Sequence, residues 1–273
     1  MQMDETTRAP PASSPTYGSY LRLPEILNAQ SPLSEAHDEM LFIVIHQASE
    51  LWIKLCLHEL RAAKQCLIND TVPQALKMLA RVGRIQGQLI QSWEVLATIT
   101  PVEYSQMREM LGASSGFQSH QYRLMEFMMG NKNASMVEFH EGAPEFQAQL
   151  HEALHQPSLY DESIRLLARR GFSLPADTLD RDFSTAYVPS PAVQAAWEAI
   201  YRQPDVHWDL YELAEKLVDL EYRFQIWRFG HLKAVERVIG FKRGTGGTAG
   251  VPYLASVLSQ VFFPELLDVR KVL

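Results

Sequence analysis

Residues 205–239 read DVHWDLYELAEKLVDLEYRFQIWRFGHLKAVERVI, with no proline after Pro204 and no glycine before Gly230. Leu210, Leu213, Leu217, Leu220, Phe224, Trp227, His231, Ala234 and Val238 follow one another at steps of three and four. Such a series is one face of a continuous helix, here about 35 residues long, turned toward a core. Residues 38–68 form a second stretch without glycine or proline, and MLFIVIHQASELWIKL is apolar on nearly every side. It predicts another long helix whose first half is deeply buried.

Between and beyond these two, start and stop signals define further helices. Thr71 and Pro73 open one that carries Leu76, Leu79, Val82, Leu89, Trp93 and Leu96 on a buried face. Thr100-Pro101-Val102-Glu103 is a capping box, and Gly112 ends the helix it starts. Gly130-Asn131, Pro157, Gly171 and Pro204 close helices over about 118–129, 144–156, 158–171 and 190–204, and residues 172–189 read as irregular. No alternating strand pattern competes. The expectation is an all-α single domain, a bundle of long antiparallel helices over 16–273, preceded by a mobile arm at 1–15 marked by Pro10, Pro11 and Pro15.

Composition narrows the class. The 273 residues are 47% hydrophobic and 21% charged, enough for a large core. The net charge of −7 argues against nucleic acid or an anionic membrane as partner. Two cysteines, Cys56 and Cys66, exclude a disulfide scaffold and a cysteine-rich metal site. The start MQMDETTRAP lacks the apolar core of a signal peptide, and no apolar run reaches the roughly 18 residues of a membrane span. A cytoplasmic protein is expected.

His231 is the one polar member of the stripe on 205–239, and His46 sits in the most apolar stretch of the chain, between Phe42 and Glu50. Each reads either as a core histidine bonded to a carbonyl or as a ligand to metal or haem. Tyr104 and Arg108, four apart on the capped helix, share a face; they suit a carboxylate ligand, or the arginine stem simply packs on the tyrosine. GFKRGTGGTAG (240–250) formally fits a dinucleotide fingerprint, but a helix precedes it where a strand is required. It reads as a mobile loop that offers Lys242, Arg243 and Thr245 to a small ligand, or as a plain connection. His151-Glu152-Ala153-Leu154-His155 matches a zinc-protease pattern, but both histidines fall on the polar flank of a short helix, so it reads as a solvated face. The methionine-rich run 124–129 reads as core filler.

Five stretches carry a resemblance. TYGSYLRLPEIL (16–27), HDEMLFIVIHQASELWIKL (37–55), LGASSGFQSHQYR (111–123), WRFGHLKAVERVIGFKRGTGGTAGV (227–251) and FFPELLDVR (262–270) are similar to those of the bacterial tryptophan 2,3-dioxygenase family. The resemblance covers essentially everything after the N-terminal arm. It implies an all-helical homotetramer, a dimer of dimers, that uses haem b with iron as Fe(II) and O2 to cleave the indole C2–C3 bond of L-tryptophan. The product would be N-formylkynurenine, the first step of the kynurenine pathway. It further implies that His231 is the proximal iron ligand, that His46 meets the indole N–H, and that Phe42 packs on the ring. Arg108 would hold the carboxylate, Tyr104 would line the pocket, Ser115 and Gly116 would border it, and Thr245 would contact the amino-acid end. Tyr17, Tyr20 and Leu21, within 16–30, would complete a neighbouring subunit's site.

Met107 departs from the family where an aromatic is usual, Gly230 where arginine is usual, and Ile45 and Ala48 where Gln and Thr are common. Gly230 also costs helix propensity, about 1 kcal/mol relative to alanine. Two alternatives to the dioxygenase reading are a relative acting on a modified indole and a non-catalytic haem or tryptophan sensor.

Overall fold

The structure, a computed structural model, describes residues 14–140, 142–242, 244, 247 and 249–273. Among them every regular element is helical. Two short helices, α1 (Tyr17–Tyr20) and α2 (Leu23–Leu27), precede the long pair α3 (Glu39–Ile68) and α4 (Val72–Leu96). Then come α5 (Pro101–Leu111), α6 (His120–Met129), α7 (Ser135–Glu138), α8 (Pro144–His155), α9 (Leu159–Arg169) and α10 (Ala176–Leu179). The chain ends with α11 (Pro191–Arg202), the 31-residue α12 (Trp208–Val238), α13 (Val251–Ser256) and α14 (Pro264–Asp268).

The boundaries follow local chemistry. Thr100 caps α5 through the Glu103 N–H while the Glu103 carboxylate returns to the Thr100 N–H at 2.7 Å. Ser158 and Asp161 repeat the device at α9. Each such cap contributes about 1 kcal/mol. Gly112, Gly130 and Gly171 end α5, α6 and α9 at φ values of 55, 116 and 95°, which side-chain-bearing residues resist. The segment 172–189 is irregular except for the single turn α10.

α4 packs against both α3 and α12, and these three helices frame the molecule. Cys56, Leu60, Ala63 and Leu67 of α3 meet Val72, Ala75, Leu79 and Val82 of α4 and Leu213, Leu217, Leu220 and Phe224 of α12 in one core. Burying each large apolar side chain contributes roughly 1.5–3 kcal/mol.

The first half of α3 differs from expectation. The deeply buried residues of this helix, other than Glu39, lie from Ile53 onward, whereas Met40, Val44 and Leu51 are 44, 43 and 54% exposed. The inner face of that half borders a cavity, and its outer face is left exposed by the other described residues. By length and composition alone α3 is apolar enough to cross a membrane, but its second half is core against α4, α6 and α9.

Candidate active site

The stripe on α12 is buried from Leu210 to Phe224, then opens at Trp227 and His231 before closing again at Ala234 and Val238. At that opening lies a cavity walled by α3, α4, α5 and the segment after it, α6, α12, α13 and the loop before α13. The centre of a water molecule can range over about 260 Å³ within it, far more than the roughly 10–15 Å³ that one water needs. Phe42, Ile45, His46, Tyr104, Ser115 and Gly116 wall one part, and Trp93, Trp227, His231, Val235 and Val238 another.

The two histidines expected from sequence thus face one cavity. The His46 Nδ1–H donates to the carbonyl of Phe42, one turn earlier, at 2.7 Å. That bond leaves Nε2 unprotonated, an acceptor toward the cavity. Burial holds the His46 pKa below the usual imidazole value, against the Phe42 carbonyl and the Glu50 charge, which act the other way. The Phe42 ring lies 4.2 Å from the imidazole and 6.3 Å from the Tyr104 ring, so the three form a contiguous aromatic wall.

His231 is half-buried and makes no hydrogen bond among the described residues. Burial, with the charge of His46 adding to it, pushes its pKa down to about 4. It is therefore neutral at pH 7, with a ring nitrogen lone pair available. The Trp93 indole stacks on it, centroids 4.6 Å apart and planes 9° from parallel.

A polar wall that the sequence did not reveal completes the cavity. Glu126 of α6 accepts from Arg123 Nη1 at 2.6 Å, Arg228 Nη2 at 3.0 Å and the Tyr122 hydroxyl at 2.9 Å. Burial and the Glu126 charge drive the Tyr122 phenol well above its usual pKa. Arg228 also donates to the carbonyls of Val257 and Gln260, both at 3.2 Å, tying the chain beyond the glycine-rich loop to α12. Arg123 Nε, Arg228 Nε and Trp93 Nε1 are buried N–H donors with no acceptor among the described residues. The run 124–129 is core filler at Leu124, Met125, Met128 and Met129, as expected, but Glu126 and Phe127 line the cavity. A carboxylate inside an otherwise apolar run was the signal for this wall.

Other expected residues stand as follows. Tyr104 is buried, and the Arg108 guanidinium lies 5.9 Å from the centre of its ring, but Arg108 is not itself part of the cavity wall. Tyr17 and Tyr20 are 77 and 75% exposed, and neither they nor Leu21 reach this chain's cavity. Thr245, with Arg243, lies outside the described residues, while Gly244 and Gly250 of the same loop border the cavity. At Gly250, φ is +69° and an added Cβ would sit 2.7 Å from the Lys242 carbonyl oxygen, so the loop closes where no side chain fits. Met107 is fully buried in a small cluster with Ile99, Tyr104 and Val238 and is not in the wall, whereas Ile45 is in it. His151 and His155 stand on the exposed side of α8.

Fold and site together define an all-α protein that presents neutral imidazoles to a ligand in an apolar cavity with a cationic edge. A sequence model described as tryptophan 2,3-dioxygenase matches residues 1–200 and 198–273. Curated proteins with that name are close in sequence throughout. One from Erythrobacter litoralis is 64% identical over 95% of this chain and 98% of its own length. Tryptophan 2,3-dioxygenase 1 of Ralstonia nicotianae is 60% identical over 95% of this chain and 88% of its own. The Ralstonia pickettii protein is 59% identical over 95 and 93%. The chain belongs to the tryptophan 2,3-dioxygenase family. It is an oxidoreductase whose reaction is the dioxygenation of tryptophan at the indole C2–C3 bond.

Proposed function

We propose that this chain binds haem b through His231 and, with the iron as Fe(II), converts L-tryptophan and O2 to N-formylkynurenine in the cavity between His231 and His46. The observation that carries this reading is the pairing of two neutral imidazoles on one cavity, one without a hydrogen bond among the described residues and one with its tautomer fixed. The donor set suits haem: a neutral imidazole is an iron ligand, and three buried N–H groups lacking acceptors among the described residues suit a group that carries two carboxylates.

The chemistry haem supplies when bound is activation of O2, with which closed-shell indole reacts only slowly. The chain's residues hold the substrate for it. His46 Nε2 accepts the indole N–H and sets the ring's position. It need not remove that proton, since an indole N–H is a very weak acid. Phe42 packs on the ring, and Tyr104 and the Ser115-Gly116 segment bound it. Arg108 grips the carboxylate with parallel hydrogen bonds, and Thr245 contacts the ammonium and carboxylate end. Loop 240–250 excludes water. A substrate fixed at both ends presents its C2–C3 bond in one orientation, which lowers the entropic part of the barrier.

The exposed Tyr17, Tyr20 and Leu21 fit the completion of a neighbouring subunit's site within a homotetramer, and the uncovered outer face of α3 fits burial there. A cytoplasmic location fits the charge and composition. The test is haem-reconstituted, reduced protein mixed with L-tryptophan in aerated buffer, with N-formylkynurenine followed by near-ultraviolet absorbance. Product is expected only with haem, and His231→Ala is expected to lose both haem and product. Full activity from a His231→Ala protein that carries no haem overturns the assignment.

A further inference from the structure

α6 has a cavity on each side. Tyr122, Arg123, Glu126 and Phe127 face the active site, while Leu124 and Met128 floor a second space bounded by α3, the segment after α6 and the end of α8. There a water centre can range over about 340 Å³. Among the described residues the charged groups of its wall are Arg61, Lys64 and Lys132 against one carboxylate, Glu152.

The cations are only partly committed. Lys132 is buried, and its Nζ donates to the carbonyls of Ala153 at 2.5 Å and Gln156 at 2.8 Å, at the C-terminal end of α8. Lys64 Nζ donates to the Pro157 carbonyl at 3.1 Å. An ammonium carries three N–H groups, so one on Lys132 and two on Lys64 remain. Arg61 makes no hydrogen bond or ion pair among the described residues. The next carboxylates are engaged elsewhere: Asp161 is held by Arg181 at 2.8 and 3.1 Å and by Ser158, and Glu162 by Arg165 at 3.1 Å. Burial pushes the Lys132 pKa down to about 7; Asp161 opposes this, while Lys64 and Arg181 add to it. Neutralising the carbonyls that end α8 accounts for Lys132 and one bond of Lys64. It accounts neither for Arg61 nor for the gathering of three basic side chains around one space.

We propose that this second cavity binds a small organic anion, a carboxylate or phosphate ester, with its charge on Arg61, Lys64 and Lys132 and its apolar part on Leu124 and Met128. Because α6 walls both cavities, the ligand would rest on the helix that carries Glu126.

The experiment is calorimetric titration of the full-length, haem-loaded protein with benzoate and, separately, with inorganic phosphate, in a buffer free of other multivalent anions. Saturable benzoate binding is expected, weakened at least about tenfold in the double variant Arg61→Gln, Lys64→Gln. These two side chains are partly or fully exposed, so the variant is expected to fold and to retain tryptophan turnover. Arg108→Leu, which alters the active-site carboxylate grip, is expected to leave this benzoate binding unchanged. That separates the second site from the first and its failure from failure of the haem assignment. Absence of saturable binding, binding indifferent to the double variant, or binding lost in Arg108→Leu overturns the proposal. Phosphate bound as tightly as benzoate overturns the role given to the apolar floor.

Discussion

The Trp93 indole lies flat against the His231 imidazole, and Gly230 is the residue that admits it. A Cβ at Gly230 would stand 2.8 Å from Trp93 Cδ1, an atom of a stacked ring that cannot swing aside as a chain end can. The glycine that looks costly in the sequence of α12 is the condition for close helix packing at the site.

Two opposed effects meet in Gly230→Ala. Helix propensity favours alanine by about 1 kcal/mol, while overpacking costs roughly 1–3 kcal/mol. Overpacking is expected to win, so the variant loses about 1 kcal/mol in urea denaturation of the haem-free protein. In a Trp93→Leu background the clash is gone, and Gly230→Ala is expected to stabilise. An unchanged sign in both backgrounds would show that the indole does not set the cost.

His46 is expected to remain neutral where an exposed histidine charges. Burial lowers its pKa and, in the haem-free chain, that of His231, the latter to about 4. The profile of kcat/KM should therefore show no inflection near pH 6.5. The sign for stability follows. Below the unfolded value of about 6.5 the unfolded chain binds protons that the native chain does not, so these histidines reduce stability as pH falls toward 4. His46→Ala should lower turnover without abolishing it. A kcat/KM limb centred at pH 6.5 and absent in His46→Ala would contradict this.

Arg108→Leu removes the expected carboxylate grip. A charge-assisted hydrogen-bond pair is worth about 1.5–3 kcal/mol, so the KM for L-tryptophan should rise at least about tenfold, with haem content unchanged. Steady-state kinetics at fixed O2 measure it, and a wild-type KM removes Arg108 from that role.

Glu126→Gln leaves Arg123 and Arg228 buried without their counter-charge. Breaking such a buried network from one side costs about 3–5 kcal/mol. Thermal and urea unfolding of the haem-free protein should register that loss, and a change below about 1 kcal/mol would mean the network behaves like a surface pair.

The longer helices, and most of their ends, are legible in the sequence, whereas the short ones at 17–27, 135–138, 176–179, 251–256 and 264–268 are not. The stripe on 205–239, the capping box at Thr100 and the stops at Gly112, Gly130 and Gly171 are local. They act through neighbours three or four residues away, so periodicity exposes them. His231 and His46 were legible for a related reason, a polar residue inside an apolar series. Which groups meet depends on the packing of distant segments. Glu126 and Arg228 are 102 residues apart along the chain, and neither periodicity nor composition pairs them. The same limit hid the stack of Trp93 on His231, the cations gathered at the second cavity and the exposure of the first half of α3. Burial depends on what packs opposite a face. A run that is apolar all round reveals only that something must cover it, and for residues 39–52 the other described residues leave the outer side exposed.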